Sequence, residues 1–255
     1  MTTAIDFFAG LGGWSTGARN AGIDVIWVAK HRPVAVEWHS ANHPEAIHIC
    51  QDLHQADWSK VPAHDITLAS PCCQGQAQAM AALGYMLAPH VVDCADIGVP
   101  QHRVRLFLVC TCSKAPLNLQ LHQRWHVPAS SFIDFDAGKW SKIVKPGRAE
   151  STLLRVKNGR ERFGDRFIMP YYGSGSGLTG RSLDRPIGTI TTLDRWALVR
   201  GDEMRMLSAN EALAAMSFPA DTKRPDNHRL TIHMAGNAVP PLAGQRIIEA
   251  LLKAA

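Results

Sequence analysis

Short apolar runs alternate with stretches of helical spacing over the first half of the chain. Residues 5–9, 25–29, 47–50 and 65–69 are each four or five mostly apolar positions, the length and texture of strands buried on both faces. Residues 14–21, closed by Gly22, and residues 33–42 read as helices between them. The order β-α-β-α-β, followed by a connection to the strand before Pro71, predicts a parallel sheet covered by helices on both faces. Beyond it, residues 76–83 form a helical run ended by Gly84, and residues 85–92 and 106–110 read as strands. From Ser113 to about Leu230 the alternation gives way to short segments rich in Gly, Ser, Arg and Lys. There the pattern predicts a strand over 187–192 and a helix over 211–216, started by the capping box of Ser208 and Glu211. A closing helix is expected over 242–253. The division is therefore 1–113 with 231–255 as one α/β domain, and 114–230 as a smaller, irregular one.

In folds of this kind ligands bind at the carboxyl ends of the strands, where Gly10, Lys30, Asp52 and Cys73 all fall. Gly10-Leu11-Gly12-Gly13 makes a tight turn into a helix whose N-terminal N–H groups are free to meet a ligand. The full G-x-G-x-x-G fingerprint is absent, so a nicotinamide cofactor is not indicated. The second strand leads to Lys30-His31, where such folds often carry a ribose-binding acid. Ser70-Pro71-Cys72-Cys73-Gln74-Gly75 then presents two cysteines on a proline turn at a strand end, as buried small side chains or as a nucleophile. Arg103 and Arg105, two positions apart on extended chain, project to one side and form a fork suited to an anion or a base edge.

Composition sharpens the partner. The chain has 255 residues and a net charge of +5. From Lys139 to Arg205 there are fourteen Lys and Arg against seven Asp and Glu, so the rest of the chain is slightly acidic. A basic excess confined to one segment predicts a surface for a polyanion. Six scattered cysteines without a C-x-x-C pair point away from a zinc ribbon or a thioredoxin motif and toward free thiols in a reducing compartment. Residues 1–6 lack the basic and apolar regions of a signal peptide, and no apolar run is long enough to cross a bilayer.

Five motifs together resemble the DNA (cytosine-5) methyltransferases. Asp6-Phe7-Phe8-Ala9-Gly10-Leu11-Gly12-Gly13 is similar to the family's first motif, and Pro71-Cys72-Cys73-Gln74 to its Pro-Cys-Gln nucleophile motif. Gln101-x-Arg103-x-Arg105 fits Gln-x-Arg-x-Arg, and Arg185-Pro186-x-x-Thr189-Ile190 fits Arg-Pro-x-x-Thr-Ile. Gly236-Asn237-Ala238-Val239 is close to the Gly-Asn-Ser-Val before the last helix. The resemblance implies a Rossmann-like S-adenosylmethionine-dependent fold with a target-recognition domain over 114–230. It implies Cys73 as nucleophile, with Arg103 and Arg105 helping to hold a flipped cytosine. Phe8, Gly10, Leu11, Gly13, Asp52, Leu53, Pro71, Asn237 and Val239 would bind S-adenosyl-L-methionine, and no metal is implied. The expected partner is double-stranded DNA, without a membrane, for a cytoplasmic monomer encoded by a bacterium or a phage.

One family element is missing. Relatives carry a Glu-Asn-Val strand between the nucleophile and the paired arginines, its glutamate bonding N3 of cytosine. Here Gln101 follows Cys73 by 28 positions and none of the residues between them is Glu. That is too short for the strand with its crossover, since a βαβ unit takes roughly thirty residues. The join falls just after Gly75. An internal deletion, a part of a longer polypeptide, or an acid supplied by a partner chain would each account for it. The expected consequences are a gap in the sheet beside the nucleophile strand, exposed apolar surface and weak activity. A relative that binds DNA and cofactor without turnover is the alternative reading.

Overall fold

The computed structural model describes residues 1–52, 55–70, 76–171 and 177–254. Its first sheet has the order β3-β2-β1-β4 and is parallel throughout: β1 is Thr3–Phe7, β2 Asp24–Lys30, β3 Ile47–Cys50 and β4 Ile66–Ala69. Ala4, Ile5 and Asp6 of β1 are all buried, as a central strand with partners on both edges and helices on its faces requires. Helix α1, Gly13–Asn20, crosses from β1 to β2, and helix α2, Pro33–Asn42, from β2 to β3. The α/β parallel sheet expected from the patterning is thus present, with α2 and β3 at the predicted bounds.

Helix α3, Gln76–Ala82, leads to an antiparallel hairpin of β5, Met86–Asp93, and β6, Val104–Thr111. This hairpin is a two-stranded sheet of its own. Among the described residues, β4 has no strand partner on its edge away from β1, and β6 has none on its edge away from β5. Apolar side chains stand in solvent here: Val104 is 56% exposed, Leu106 61%, Val91 75% and Leu83 73%. Both sheets rest on the closing helix, which follows below. Its Ile248 packs in one cluster with Leu68 of β4, and its Ile247 in another with Phe107 of β6.

The region from 114 to 230 is more regular than its composition predicts. Strands β7, Ser141–Lys142, β8, Arg166–Pro170, β9, Trp196–Arg200, and β10, Glu203–Met206, form an antiparallel sheet of order β7-β10-β9-β8. Helix α4, Glu150–Phe163, covers one face, where Val156, Phe167, Met169, Ala197 and Val199 are buried together. The other face turns Ile168, Trp196 and Leu198 toward helix α5, Ala209–Ala215, and helix α6, His228–Asn237. Burying each such aliphatic or aromatic side chain stabilises the fold by about 1.5–3 kcal/mol. The cluster continues into Leu11 and Ala35, so one core spans both parts. Helix α7, Pro241–Ala254, closes the chain along α1.

Two expectations need correction. Residues 187–192 are not a strand; a single bridge, Gln101 to Ile187, is their only ladder pairing among the described residues. Their polar groups bond the Gln101–Arg103 segment instead. The basic excess is also partly internal. Arg155 and Arg205 are buried, and Arg205 forms a bidentate pair with Glu211 at 2.7 Å on both arms. Lys139, Lys142, Lys145, Lys157, Arg162, Arg166, Arg181 and Arg185 remain exposed.

Candidate active site

The carboxyl ends of β1 and β4 lie side by side, because Phe7 pairs with Ala69 in register and Ser70 donates its N–H to the Phe7 carbonyl at 3.4 Å. Beyond β1 the chain turns through Phe8, whose φ of 62° is uncommon for a residue with a side chain. Phe8 is held there by an N–H bond to Ala29 O at 3.1 Å and by Lys30 Nζ, which donates to its carbonyl at 3.4 Å. Such held strain concentrates at functional sites. Gly12 follows with φ 90°, and a Cβ there would meet His43 Nε2 at 2.6 Å. Gly13 packs against the loop between α6 and α7.

These elements enclose an open cleft of about 270 Å³. Its lining includes Phe8, Gly10, Leu11, Gly13, Asn237 and Val239, all expected from the sequence, together with Asp6, Trp14 and Ser70. Trp14 Nε1 donates to Ser70 Oγ at 3.0 Å, so the first turn of α1 is fastened to the residue just before Pro71. Asp52 is exposed two residues beyond β3 and stands outside this lining. Leu53, Pro71 and Cys73 lie outside the described residues, as does most of the Gly-Ser loop after Tyr171.

Below the cleft runs a polar network that local patterning hardly marks. Ser15 Oγ donates to Asp6 Oδ2 at 2.8 Å and meets His39 Nε2 at 3.0 Å; His39 Nδ1 meets His48 Nε2 at 2.8 Å. Thr16 Oγ1 meets His43 Nε2 at 3.1 Å. Burial raises the Asp6 carboxyl to about 7, against the lowering effect of the Ser15 hydrogen bond and Lys30. Burial likewise drives His39 down to about 2, aided by neighbouring His43 and His48, so its ring is neutral. Asp6 Oδ1 is buried without a hydrogen-bond partner among the described residues. The signal for this network was the i, i+4 spacing of His39, in α2, and His43, just after its end, with His48 on the next strand.

The second group of motifs is tied together on the hairpin side. Gln101 is fully buried; its Nε2 donates to Ala215 O at 2.9 Å and its Oε1 accepts from Ile190 N–H at 2.9 Å. Thr189 Oγ1 donates to His102 O at 2.8 Å. Buried Arg103 donates through Nη1 to Ile190 O at 2.9 Å, and through Nη2 to Gly236 O at 2.8 Å and Ala238 O at 3.1 Å. Three distant motifs, around residues 101–105, 185–190 and 236–239, thus meet at one guanidinium. Arg105 differs: it is exposed, and its Nη1 donates only to the neighbouring Val104 O, at 2.7 Å, among the described residues.

The C-5 cytosine-specific DNA methylase family matches residues 2–79 and 76–137, more than half of the chain. The chain belongs to this family. The curated type II methyltransferase M1.HphI of Haemophilus parahaemolyticus is 24% identical over 323 aligned positions, which cover 98% of this chain and 87% of that protein. Type II methyltransferase M.NlaX of Neisseria lactamica is 37% identical over 81 residues, 31% of this chain and 26% of its own. Among solved structures, a putative DNA modification methyltransferase encoded in an Escherichia coli prophage superposes with a TM-score of 0.73 at 17% identity, covering 100% of this chain and 99% of that one. A DNMT2 variant of Spodoptera frugiperda gives 0.70 at 13% identity, with 99% and 100% covered. At these identities the likeness speaks for the fold. The family match breaks at residues 76–79, and the alignment with the Haemophilus protein runs 68 positions beyond this chain's length.

Proposed function

We propose that this family member is a DNA (cytosine-5-)-methyltransferase that moves a methyl group from S-adenosyl-L-methionine to C5 of a cytosine flipped out of duplex DNA. The observation that carries the reading is the convergence of residues 6–14, Ser70 and residues 237–239 on one cleft, three residues short of Cys73.

The cleft suits the cofactor's chemistry. Asp6 offers a buried carboxylate oxygen without a partner, fit for an ammonium group; Phe8 and Trp14 offer aromatic walls, and the start of α1 offers free N–H groups. Gly10, Leu11, Gly13, Asn237 and Val239 would line the rest, with Asp52, Leu53 and Pro71 assigned by resemblance. When bound, the cofactor supplies an electrophilic methyl on a sulfonium. Cys73, as thiolate, adds to C6 of cytosine and makes C5 nucleophilic; loss of the C5 proton and expulsion of the thiolate restore the ring after methylation. The base must leave the stack to be reached. Exposed Arg105 would hold the flipped base, whereas Arg103 serves by pinning the three motifs around it. Residues 114–230 would be the target-recognition domain, with Lys139, Lys142, Lys145, Lys157, Arg181 and Arg185 contacting phosphates.

The absence of a glutamate between Cys73 and Gln101, together with the open edge of β4, favours a second reading, a binder without turnover. Duplex DNA carrying 5-fluorocytosine decides between them. With S-adenosyl-L-methionine present, the enzyme becomes covalently trapped and Cys73→Ser does not; absence of any adduct, with DNA and cofactor still bound, overturns the catalytic reading.

A further inference from the structure

The two open strand edges belong to one interrupted layer. Trp14 reaches both, bonding Ser70 at the end of β4 and stacking edge-on against Phe107 of β6 at 5.9 Å. Successive residues of α7, Ile247 and Ile248, underlie the hairpin and the parallel sheet respectively. Trp14 of α1 and the closing helix α7 thus tie β4 and β6 to the same support, yet among the described residues the two strands do not pair with each other. Only six residues join β4 to α3, far fewer than the roughly thirty of a strand with its crossover.

We propose that the opening between β4 and β6 is an acceptor slot for a strand from a second polypeptide, which completes the sheet. The edges specify the occupant. Unpaired backbone N–H and C=O groups call for an extended segment. Its length is four to eight residues, the lengths of β4 and β6. Exposed Val104 and Leu106 on β6, with Leu68 and Ile66 on β4, call for side chains apolar on both faces, as in any inner strand. A following helix would cover Val91 and Leu83. The family match breaks at this same join, at residues 76–79, and at least 68 positions of the Haemophilus alignment have no counterpart anywhere in this chain, more than the roughly thirty residues of a strand with its helix. Among the described residues every strand of a second copy is already held in one of its three sheets, so a copy could meet these edges only with an edge of its own.

The test adds to the full chain a segment of about thirty residues, taken from the Haemophilus relative where its alignment passes from Gly75 to Gln76, both as a free polypeptide and tethered by insertion before Gln76. Light scattering and amide exchange are read for each. The expected result is a one-to-one complex, or a monomeric tethered protein, with amide exchange slowed about tenfold or more over residues 66–69 and 104–111. Leu106→Asp, a change at an exposed position, should weaken the free complex about tenfold or more. If neither form protects those strands, or if the chain alone forms a stable dimer with protected β6, the proposal is overturned. Methylation in the same samples separates it from the proposed function. Protection without turnover leaves the slot standing and sinks catalysis, and turnover by the chain alone does the reverse.

Discussion

The carbonyl oxygen of Val239 lies 1.9 Å from where a Cβ on Gly13 would stand. The glycine loop after β1 and the loop before α7 are therefore in direct backbone contact, and they form two walls of the same cleft. Gly13→Ala forces them apart. We expect a stability loss of about 1–3 kcal/mol from overpacking, with a larger effect on cofactor affinity than on DNA affinity. Calorimetric titration with S-adenosyl-L-methionine beside a DNA-binding assay checks this. Equal losses on both would contradict it.

Arg103 and Arg105 should separate cleanly. Arg103→Ala strands three carbonyls at the junction of the motifs, and we expect a loss of about 3 kcal/mol or more, seen as a large fall in melting temperature. Arg105→Ala removes, among the described residues, only a bond to its neighbour's carbonyl and should change stability by less than about 0.5 kcal/mol. Its effect should fall on turnover or base trapping instead. Thermal melts beside trapping assays give both readouts.

Asp6 gives cofactor binding a pH dependence. Its carboxyl sits near 7 because burial favours the neutral form. A cationic ligand prefers the carboxylate, so affinity for S-adenosyl-L-methionine should rise between pH 6 and 8. Asp6→Asn should bind more weakly and lose the slope. A wild-type affinity that is flat over this range would rule out contact with Asp6.

The buried histidines act on stability in the opposite sense to Asp6. His39, His43 and His48 are all held below the ordinary histidine value, chiefly by burial, so the unfolded chain binds more protons than the folded one as pH falls through about 6.5. Stability should decline on acidification from pH 7 to 5. Asp6, raised in the folded state, gains stability over the same interval but offsets only one proton of three. His39→Gln should flatten the decline, in melting temperature against pH, by up to about 1.4 kcal/mol per pH unit.

The pair Arg205–Glu211 fastens the second sheet to α5. Both side chains are buried, and Glu211 also closes the capping box with Ser208. Removing one partner leaves a buried charge, so Arg205→Met should cost about 3–5 kcal/mol. Denaturant unfolding would show it. The double replacement Arg205→Met with Glu211→Gln should recover part of the loss.

By itself the sequence determined the parallel β1–β4 sheet, the helices α1, α2 and α7, and the capping box. Those features rest on local signals: apolar runs, helical spacing, and glycine or serine at helix ends. The motifs also supplied most of the cleft lining. Only the tertiary structure decided what the polar residues do. Arg103 looks like Arg105 in the sequence, but one is enclosed by three carbonyls and the other faces solvent. Asp6, His39 and His48 become one network because β1, α1, α2 and β3 bring them together. The second sheet was missed because its strands pair across long separations and its basic residues, such as Arg155 and Arg205, read as surface. The short join after β4 could be read from the sequence, but the two open edges it leaves exist only in the fold, since an edge is defined by the neighbour it lacks.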